Sequence, residues 1–171
     1  YGDGLFETIA VVDGRPCLWS HHLQRLQEGC RRLRLPLPDP EVLEAEVLGI
    51  CEGSSRGILK LYWTAGTSAR GYRRPQPPAV QRVLALYEWR VMSSGDTWRI
   101  RTCEHRLGDN PTLAGIKHLN RLDQVVARAE WQEPGIREGL MREQNGDVIC
   151  TTMSDRFVQR GERLSTPSID H

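Results

Sequence analysis

The spacing of apolar residues changes from strand-like to helix-like near the start of the chain, and this change limits the possible folds most. Residues 5–12 are rich in β-branched and aromatic side chains, which favour a strand, and Asp13-Gly14 then predicts a hairpin turn. From an expected N-cap at Ser20, leucines recur at helical spacing until Pro36 ends the pattern. Strands followed by an amphipathic helix predict an α+β protein.

Two further helices are predicted from the same kind of spacing. The first covers residues 41–52, and its expected buried side consists of Val42, Leu43, Val47, Leu48 and Cys51. The second covers residues 117–131, and its expected apolar stripe consists of Leu119, Leu122, Val125, Val126 and Ala129. Both helices fit an α+β chain in which helices flank sheets.

The remaining segments predict strands in two subdomains of mixed sheet. The expected strands cover residues 16–19, 58–64, 80–91 and 98–103, and shorter strands joined at Asn145-Gly146 and Arg160-Gly161 follow Gly135. Turn-forming residues at 93–97 predict a linker. We therefore expect an N-terminal α+β subdomain at residues 1–92 and a C-terminal subdomain at residues 98–171.

Composition and charge argue against several classes of function. The 171 residues carry a net charge of +1, which gives no electrostatic footprint for nucleic acid or an anionic membrane. Five scattered cysteines without metal-ligand spacing predict no metal site, and reduced thiols fit a cytoplasmic protein. No apolar run approaches the ~20 residues of a membrane span. Because the chain begins at Tyr1 and ends without a polar tail, we expect a fragment of a longer protein.

The chain has only two lysines, Lys60 and Lys117, and Lys117 follows a loop rich in glycine and proline. A lysine amine can form an imine with an aldehyde, which arginine cannot do. His118 and Arg121 place further positive charge nearby. On spacing alone, a solvated surface lysine is the commoner interpretation of Lys117.

Arg25 lies away from the leucine stripe of the first predicted helix, with His22 three residues earlier. A guanidinium in that place can bind a phosphate bidentately. Alternatively, Arg25 shares a solvated helix face with Glu28, Arg31 and Arg32.

A loop between two predicted strands carries Arg70-Gly71-Tyr72 and is suited to a substrate carboxylate, although an ordinary surface loop has the same composition. Thr151, Thr152 and Ser154 follow another strand. Their hydroxyls could bind phosphate or could simply end the strand.

Three segments together resemble the fold-type IV pyridoxal 5'-phosphate (PLP) enzymes, and most closely the aminodeoxychorismate lyases. These segments are residues 1–8 (YGDGLFET), residues 22–26 (HLQRL) and residues 107–124 (LGDNPTLAGIKHLNRLDQ). The third match is long and specific. The resemblance spans the whole chain in the family's order, and it implies the fold-type IV architecture.

The resemblance implies roles for individual residues. Lys117 corresponds to the lysine that holds PLP as a Schiff base, Arg25 to the arginine that binds the cofactor phosphate, and Thr151 to a further cofactor contact. Arg70 and Tyr72 correspond to the loop that binds a substrate carboxylate, where D-amino-acid aminotransferases tend to have histidine in place of Tyr72. The implied reaction converts 4-amino-4-deoxychorismate to 4-aminobenzoate and pyruvate in folate synthesis, and the implied assembly is a homodimer.

Three departures from the family pattern leave alternatives open, and one of them is Asp155-Arg156-Phe157 in place of the family's Asn-Leu-Phe. Cys150 stands where the family has the glutamate that pairs with the pyridine nitrogen of PLP. The family also continues beyond the last residue of this chain, so the second subdomain is expected to be incomplete. An aminotransferase of the same fold, of the D-amino-acid or branched-chain type, is one alternative. A truncated homologue without catalytic activity is the other.

Overall fold

The strand predicted at residues 5–12 lies inside the first sheet of the computed structural model, which describes residues 1–89 and 97–167. This sheet is antiparallel throughout, in the order β2-β1-β3-β4. Its strands are β1 (Gly4–Val12), β2 (Arg15–Pro16), β3 (Arg56–Thr64) and β4 (Gln81–Glu88). Asp13 and Gly14 form the predicted turn, both with positive φ. Alternate residues of β1 and β3 are buried, as the period-two pattern of a sheet with one core face requires.

Two helices of the first unit are α1 (Trp19–Leu33) and α2 (Pro40–Cys51). The prediction that Ser20 caps α1 is wrong, because α1 begins one residue earlier, after Leu18 in a left-handed conformation. Asp39 caps α2 by accepting hydrogen bonds from two main-chain amides. The buried side of α2 is narrower than predicted: Leu43, Val47 and Cys51 are buried, whereas Val42 and Leu48 are exposed.

The second sheet is mixed. Strand β5 (Arg99–Leu107) runs parallel to β6 (Ile136–Glu143), which pairs antiparallel with β7 (Val148–Thr151). The hairpin predicted at Asn145-Gly146 joins β6 to β7. Strands β8 (Val158–Arg160) and β9 (Arg163–Ser165) form a separate hairpin. The core of this unit contains Cys103, Ala127, Trp131 and Met141.

The helix predicted at residues 117–131 is wrong in length, because α3 covers only Leu122–Arg128. Residues 117–119 are instead extended along β1, where the Phe6 amide donates to the Lys117 carbonyl and the Leu119 amide donates to the Gly4 carbonyl. These main-chain groups are therefore committed to β1 and not to a helix. Most of the expected stripe is exposed, since Leu122, Val125 and Val126 face solvent and Ala127 is the buried residue of α3.

The chain divides into two units. The first comprises Tyr1–Val91 with Ile116–Asn120, and the second comprises Met92–Gly115 with Arg121–His171. The segment that carries Lys117 thus belongs to the first unit, although the sequence-based division assigned it to the C-terminal subdomain. Most of the linker predicted at residues 93–97 lies outside the described residues, and that linker stays a prediction. Within residues 1–89 and 97–167, no helix has the length and apolar content needed to cross a membrane.

Candidate active site

Lys117 lies in an extended segment fixed to the edge of β1. Leu5 and His118 form an isolated antiparallel bridge, flanked by the two main-chain hydrogen bonds described above. Gly4 makes this approach possible, because a Cβ atom there would lie 2.9 Å from a methyl group of Leu119 and 2.7 Å from the Trp63 carbonyl oxygen. The half-buried Lys117 is therefore held by the hydrogen bond at its own carbonyl and by the one two residues later at Leu119.

Both lysines of the chain approach the same aromatic ring. The Lys117 Nζ lies 4.7 Å from the centroid of the Phe6 ring, and the Lys60 Nζ lies 5.5 Å from the same centroid. Lys60 also donates a 2.7 Å hydrogen bond to the Thr8 hydroxyl. Cations are attracted to the face of an aromatic ring, so Phe6 contributes to the placement of both amines. Lys60 is a neighbour of Lys117 that sequence reasoning did not identify.

Arg25 is bound to a buried carboxylate of β1. Its Nε donates to Glu7 Oε1 at 2.8 Å, and its Nη2 donates to Glu7 Oε2 at 2.5 Å. His22 Nδ1 lies 2.7 Å from the same Oε2. Arg25 thus does not join the solvated group on α1, where Glu28 and Arg31 form their own exposed pair. Sequence reasoning missed Glu7, although a glutamate at a core-facing position of a strand is a usable signal.

The two predicted cofactor-binding cations are anchored to adjacent residues of β1. Lys117 contacts Phe6, and Arg25 contacts Glu7. Consecutive strand residues point to opposite faces of a sheet, so these side-chain contacts lie on opposite faces of β1. The structure therefore brings both cations to this one strand.

The loop that carries Arg70 and Tyr72 is exposed at both residues, and Tyr72 is 85% exposed. Arg74, two residues further along the same loop, is held by hydrogen bonds. It donates to both carboxylate oxygens of Asp3 and to the Leu33 carbonyl, the last at 2.5 Å. The hydrogen bonds that Arg74 donates to Asp3 raise the pKa of Arg74 above its ordinary value. Tyr72 and Arg74 line a cavity of about 400 Å³, and Arg70 is not among its lining residues. Sequence reasoning identified the loop but missed Arg74.

In the second unit, Cys150 lies on β7 opposite Met141 and is half-buried. Burial raises the pKa of the Cys150 thiol, and the positive charge of Arg121 opposes that shift without cancelling it. Burial also lowers the pKa of Arg121. A thiol with a raised pKa is neutral at neutral pH, so Cys150 does not supply the negative charge that a glutamate would supply there.

The hydroxyl of Thr151, the other predicted site residue of this unit, belongs to a turn. It accepts from the Ser154 amide at 2.9 Å and donates to the Ser154 carbonyl. The turn is held by Glu138, a buried residue of β6 that sequence reasoning missed. Glu138 accepts from the Gly139 amide, from the amide and hydroxyl of Thr152, and from the Ser154 hydroxyl.

This fold and these residues fit a known class of protein. Residues 4–171 match the model of the family described as Amino-transferase class IV, and the chain belongs to that family. It is 32% identical to aminodeoxychorismate lyase of Vibrio harveyi over 99% of its length and 64% of that protein's length. The chain thus spans less than two thirds of this relative.

Solved structures extend the comparison. A crystal structure of 4-amino-4-deoxychorismate lyase from Pseudomonas aeruginosa matches with a TM-score of 0.91 and 40% identity, over 99% of this chain and 64% of that one. The PLP-bound form of a hypothetical aminotransferase from Mycobacterium tuberculosis matches with a TM-score of 0.73 and 22% identity, over 98% of this chain and 62% of that one. The second likeness shows the fold alone. The predicted fold-type IV architecture is confirmed.

Taken one at a time, two side chains of the first unit match chemical groups of PLP. A primary amine on a fixed segment suits the aldehyde, and a guanidinium held in one plane suits the phosphate. The neutral Cys150 thiol does not fit the pyridine nitrogen as a carboxylate does, because it cannot balance the charge of a protonated ring. The described residues therefore fit the aldehyde and the phosphate of PLP better than they fit its ring nitrogen.

Proposed function

We propose that this chain forms part of a PLP-dependent lyase that converts 4-amino-4-deoxychorismate to 4-aminobenzoate and pyruvate. The observation that carries the proposal is the placement of Lys117, which main-chain hydrogen bonds to β1 hold outside the helix. The similarity to two proteins named as lyases for this substrate supports it. Because the chain spans less than two thirds of those proteins, the activity concerns the longer protein that would contain it.

The proposed roles follow the chemistry of the side chains. When bound, PLP withdraws electrons from the carbon that carries the substrate amine, so that the C–H proton at this carbon becomes acidic. The Lys117 amine would take that proton and return a proton to the departing enolpyruvate. Arg25 would bind the cofactor phosphate, and Thr151 stays a predicted cofactor contact. Arg70 with Tyr72 would bind a substrate carboxylate from the exposed loop.

A thiol at residue 150 weakens the electron withdrawal in this scheme, because it does not keep the pyridine nitrogen protonated. We propose that aromatisation of the product supplies enough driving force for turnover despite Cys150. In the longer protein, Cys150→Glu is then expected to raise the rate of 4-aminobenzoate release. A rate equal to that of the wild type would show that residue 150 does not limit the reaction.

The two lysines allow a matched test of the cofactor site. The purified protein incubated with PLP is expected to turn yellow, and Lys117→Ala is expected to abolish the visible absorbance while Lys60→Ala retains it. Borohydride reduction followed by peptide mass spectrometry identifies the lysine that carries the cofactor. A colourless wild type would favour the alternative of a homologue without catalytic activity. Label on Lys60 would contradict the assignment of Lys117.

An aminotransferase of the same fold is the second candidate, because the family includes this activity in its description and a hypothetical aminotransferase shares the fold. Product analysis separates the two reactions. We expect 4-aminobenzoate and pyruvate from 4-amino-4-deoxychorismate, and little pyruvate from D-alanine with 2-oxoglutarate. Transamination as the faster reaction would overturn the lyase proposal.

The resemblance also supports a homodimer and a cytoplasmic location as proposals. Light scattering on the purified protein tests the first, and a mass of one chain would contradict it. Cell fractionation tests the second, and recovery with the membrane pellet would contradict it.

A further inference from the structure

Glu7 is a charged residue at a strand position that belongs to the core. It lies on the same face of β1 as the buried residues Leu5, Ile9 and Val11, and it is itself 1% exposed. Burial of an ionised carboxylate is costly unless charged partners or hydrogen bonds compensate for the lost water. The partners of Glu7 are therefore essential to its position.

Both oxygens of Glu7 are used by side chains of α1. Arg25 binds them bidentately through Nε and Nη2, and His22 Nδ1 contacts Oε2. A bidentate guanidinium–carboxylate pair fixes a plane as well as a distance, which a single hydrogen bond does not do. Glu7 therefore sets the orientation of the Arg25 guanidinium and not only its location.

The helix reaches Glu7 because Gly29 lets it approach the strand. His22, Arg25 and Gly29 share one face of α1 at helical spacing. A Cβ atom at Gly29 would lie 2.8 Å from both terminal methyl groups of Leu5, which is too close for an unmoved side chain. The Glu7–Arg25 contact thus depends on a close helix–strand packing built into the sequence.

The two members of this pair differ in exposure. The Glu7 side chain is 2% exposed, whereas the Arg25 side chain is 46% exposed. Glu7 takes two of the five N–H bonds of the guanidinium, so the carboxylate holds the buried edge of a group that also reaches solvent. An arginine on a flexible stem loses rotamer freedom when it binds a ligand, and an arginine that is already held loses less.

We propose that Glu7 is a positioning residue: it fixes the plane of the Arg25 guanidinium so that its outward edge binds the phosphate group of PLP. The inference rests on the proposed function for the identity of the ligand. It assigns to Glu7 an effect on phosphate binding that a purely structural role in the β1–α1 packing would not produce.

Neutralising Glu7 has two opposing consequences for an anion at Arg25. Glu7→Gln removes a negative charge, which strengthens the attraction of Arg25 to phosphate. It also replaces one carboxylate oxygen by an NH2 group, which cannot accept the hydrogen bonds that Arg25 and His22 make there. The gain in attraction is screened by water, because Arg25 is half exposed. The loss of the bidentate geometry is not screened, so we expect phosphate binding to weaken.

The experiment compares PLP with pyridoxal, which lacks the phosphate. The dissociation constants of both are measured by absorbance titration, and their ratio reports the contribution of the phosphate. The wild type is expected to prefer PLP, and Glu7→Gln is expected to lower the preference by about tenfold with little change in pyridoxal binding. In an Arg25→Gln background, Glu7→Gln is expected to have no further effect on the ratio, because Glu7 acts through Arg25.

Glu28→Gln provides the matched control. It also removes one negative charge, here from α1, the helix that carries Arg25, where Glu28 forms an exposed pair with Arg31. It should leave the ratio unchanged. If Glu7→Gln does not fold, Glu7→Asp serves instead, because the shorter side chain keeps the negative charge but cannot hold the Arg25 guanidinium in the same plane; the ratio should again fall.

The outcomes separate this inference from the proposed function. A wild type without preference for PLP over pyridoxal would overturn both the role of Arg25 and this inference. A wild-type preference that survives Glu7→Gln or Glu7→Asp would overturn the positioning role alone. An equal loss of affinity for PLP and pyridoxal in Glu7→Gln would show a structural role and would also contradict the inference.

Discussion

The first unit buries the carboxylate of Glu7 and the second buries that of Glu138, with 1% and 3% of each residue exposed. Glu7 is compensated by charged or titratable side chains, Arg25 and His22. Glu138 is compensated by neutral hydroxyl and amide donors of its own strand and of the turn after β7.

Because their partners differ, the two buried carboxylates affect different properties of the protein. An ion pair whose cation is half exposed places positive charge at the surface, where a ligand can reach it. A carboxylate surrounded by neutral donors fixes the backbone that carries those donors, here the turn next to Cys150. Glu7 therefore bears on the binding of an anion, and Glu138 bears on the stability and shape of the second unit.

Removal of the Glu138 carboxylate should have the largest effect. Glu138→Ala leaves the Thr152 and Ser154 hydroxyls and the Gly139 amide without this acceptor in a buried place, whereas the Thr152 amide keeps its hydrogen bond to the Gly139 carbonyl. We expect a loss of about 3 kcal/mol in the free energy of unfolding, measured by urea denaturation. Glu162→Ala, at an exposed residue of the same unit, is the control and should change stability little. If Glu138→Ala lowered the free energy of unfolding by less than Glu7→Ala does, Glu138 would not be the carboxylate that matters more for stability.

Acid should weaken the second unit through the same carboxylate. Burial acts to raise the pKa of Glu138, but hydrogen bonds from Thr152, Gly139 and Ser154 outweigh it, and the pKa is lowered. A carboxyl group whose folded pKa is lowered stabilises the fold above its unfolded pKa and loses that effect as the pH falls through its folded pKa.

The free energy of unfolding of the wild type should therefore fall as the pH drops below about 4.3. Glu130, whose pKa is also lowered because hydrogen bonds from His105 and Glu104 outweigh burial, contributes to the same slope. Glu138→Gln isolates the share of Glu138, because the variant should have a flatter pH dependence than the wild type. Parallel curves for the two proteins would contradict the role of this carboxylate in acid sensitivity.

The packing beneath Glu7 can be tested without a change of charge. Gly29→Ala forces a Cβ atom against the buried side chain of Leu5, and we expect a loss of about 1–3 kcal/mol in the free energy of unfolding. Gly49→Ala on α2 is the control, because nothing lies within 4 Å of the added Cβ atom. Removal of a helical glycine there should stabilise the protein by about 0.5–1 kcal/mol. Equal effects of the two substitutions would show that α1 does not pack closely at Gly29.

Local patterns predicted the parts of the fold that depend on neighbours in sequence. The β1 strand, its Asp13-Gly14 turn and the end of α1 before Pro36 follow from alternation, turn chemistry and the restriction before proline. The conformation at Lys117 was not predictable in this way. Its main-chain partners, Gly4 and Phe6, lie more than a hundred residues away in sequence, and they override the helical spacing of the apolar residues that follow.

The candidate site shows the same division between local and distant information. Helix geometry predicted that Arg25 lies off the leucine stripe, and the glutamate among core-facing residues of β1 could have indicated its partner. Glu138 offered no such signal, because the buried residues of β6 do not alternate along the strand. The Lys60–Phe6–Lys117 group depends on strand register, which pairs Lys60 with Thr8 across β1 and β3.

The smallest expected effect concerns the exposed carboxylate on α1. Glu28 lies three residues from Arg31, with an oxygen–nitrogen distance of 3.3 Å, and both side chains are more than half exposed. Such pairs are screened by water, so Glu28→Gln should change the free energy of unfolding by less than about 0.5 kcal/mol, measured by urea denaturation with and without added salt. A loss as large as that of Glu7→Gln would mean that the net charge of α1, and not burial of the carboxylate, governs the stability of this region. In that case the contrast between buried and exposed carboxylates would not hold for the first unit.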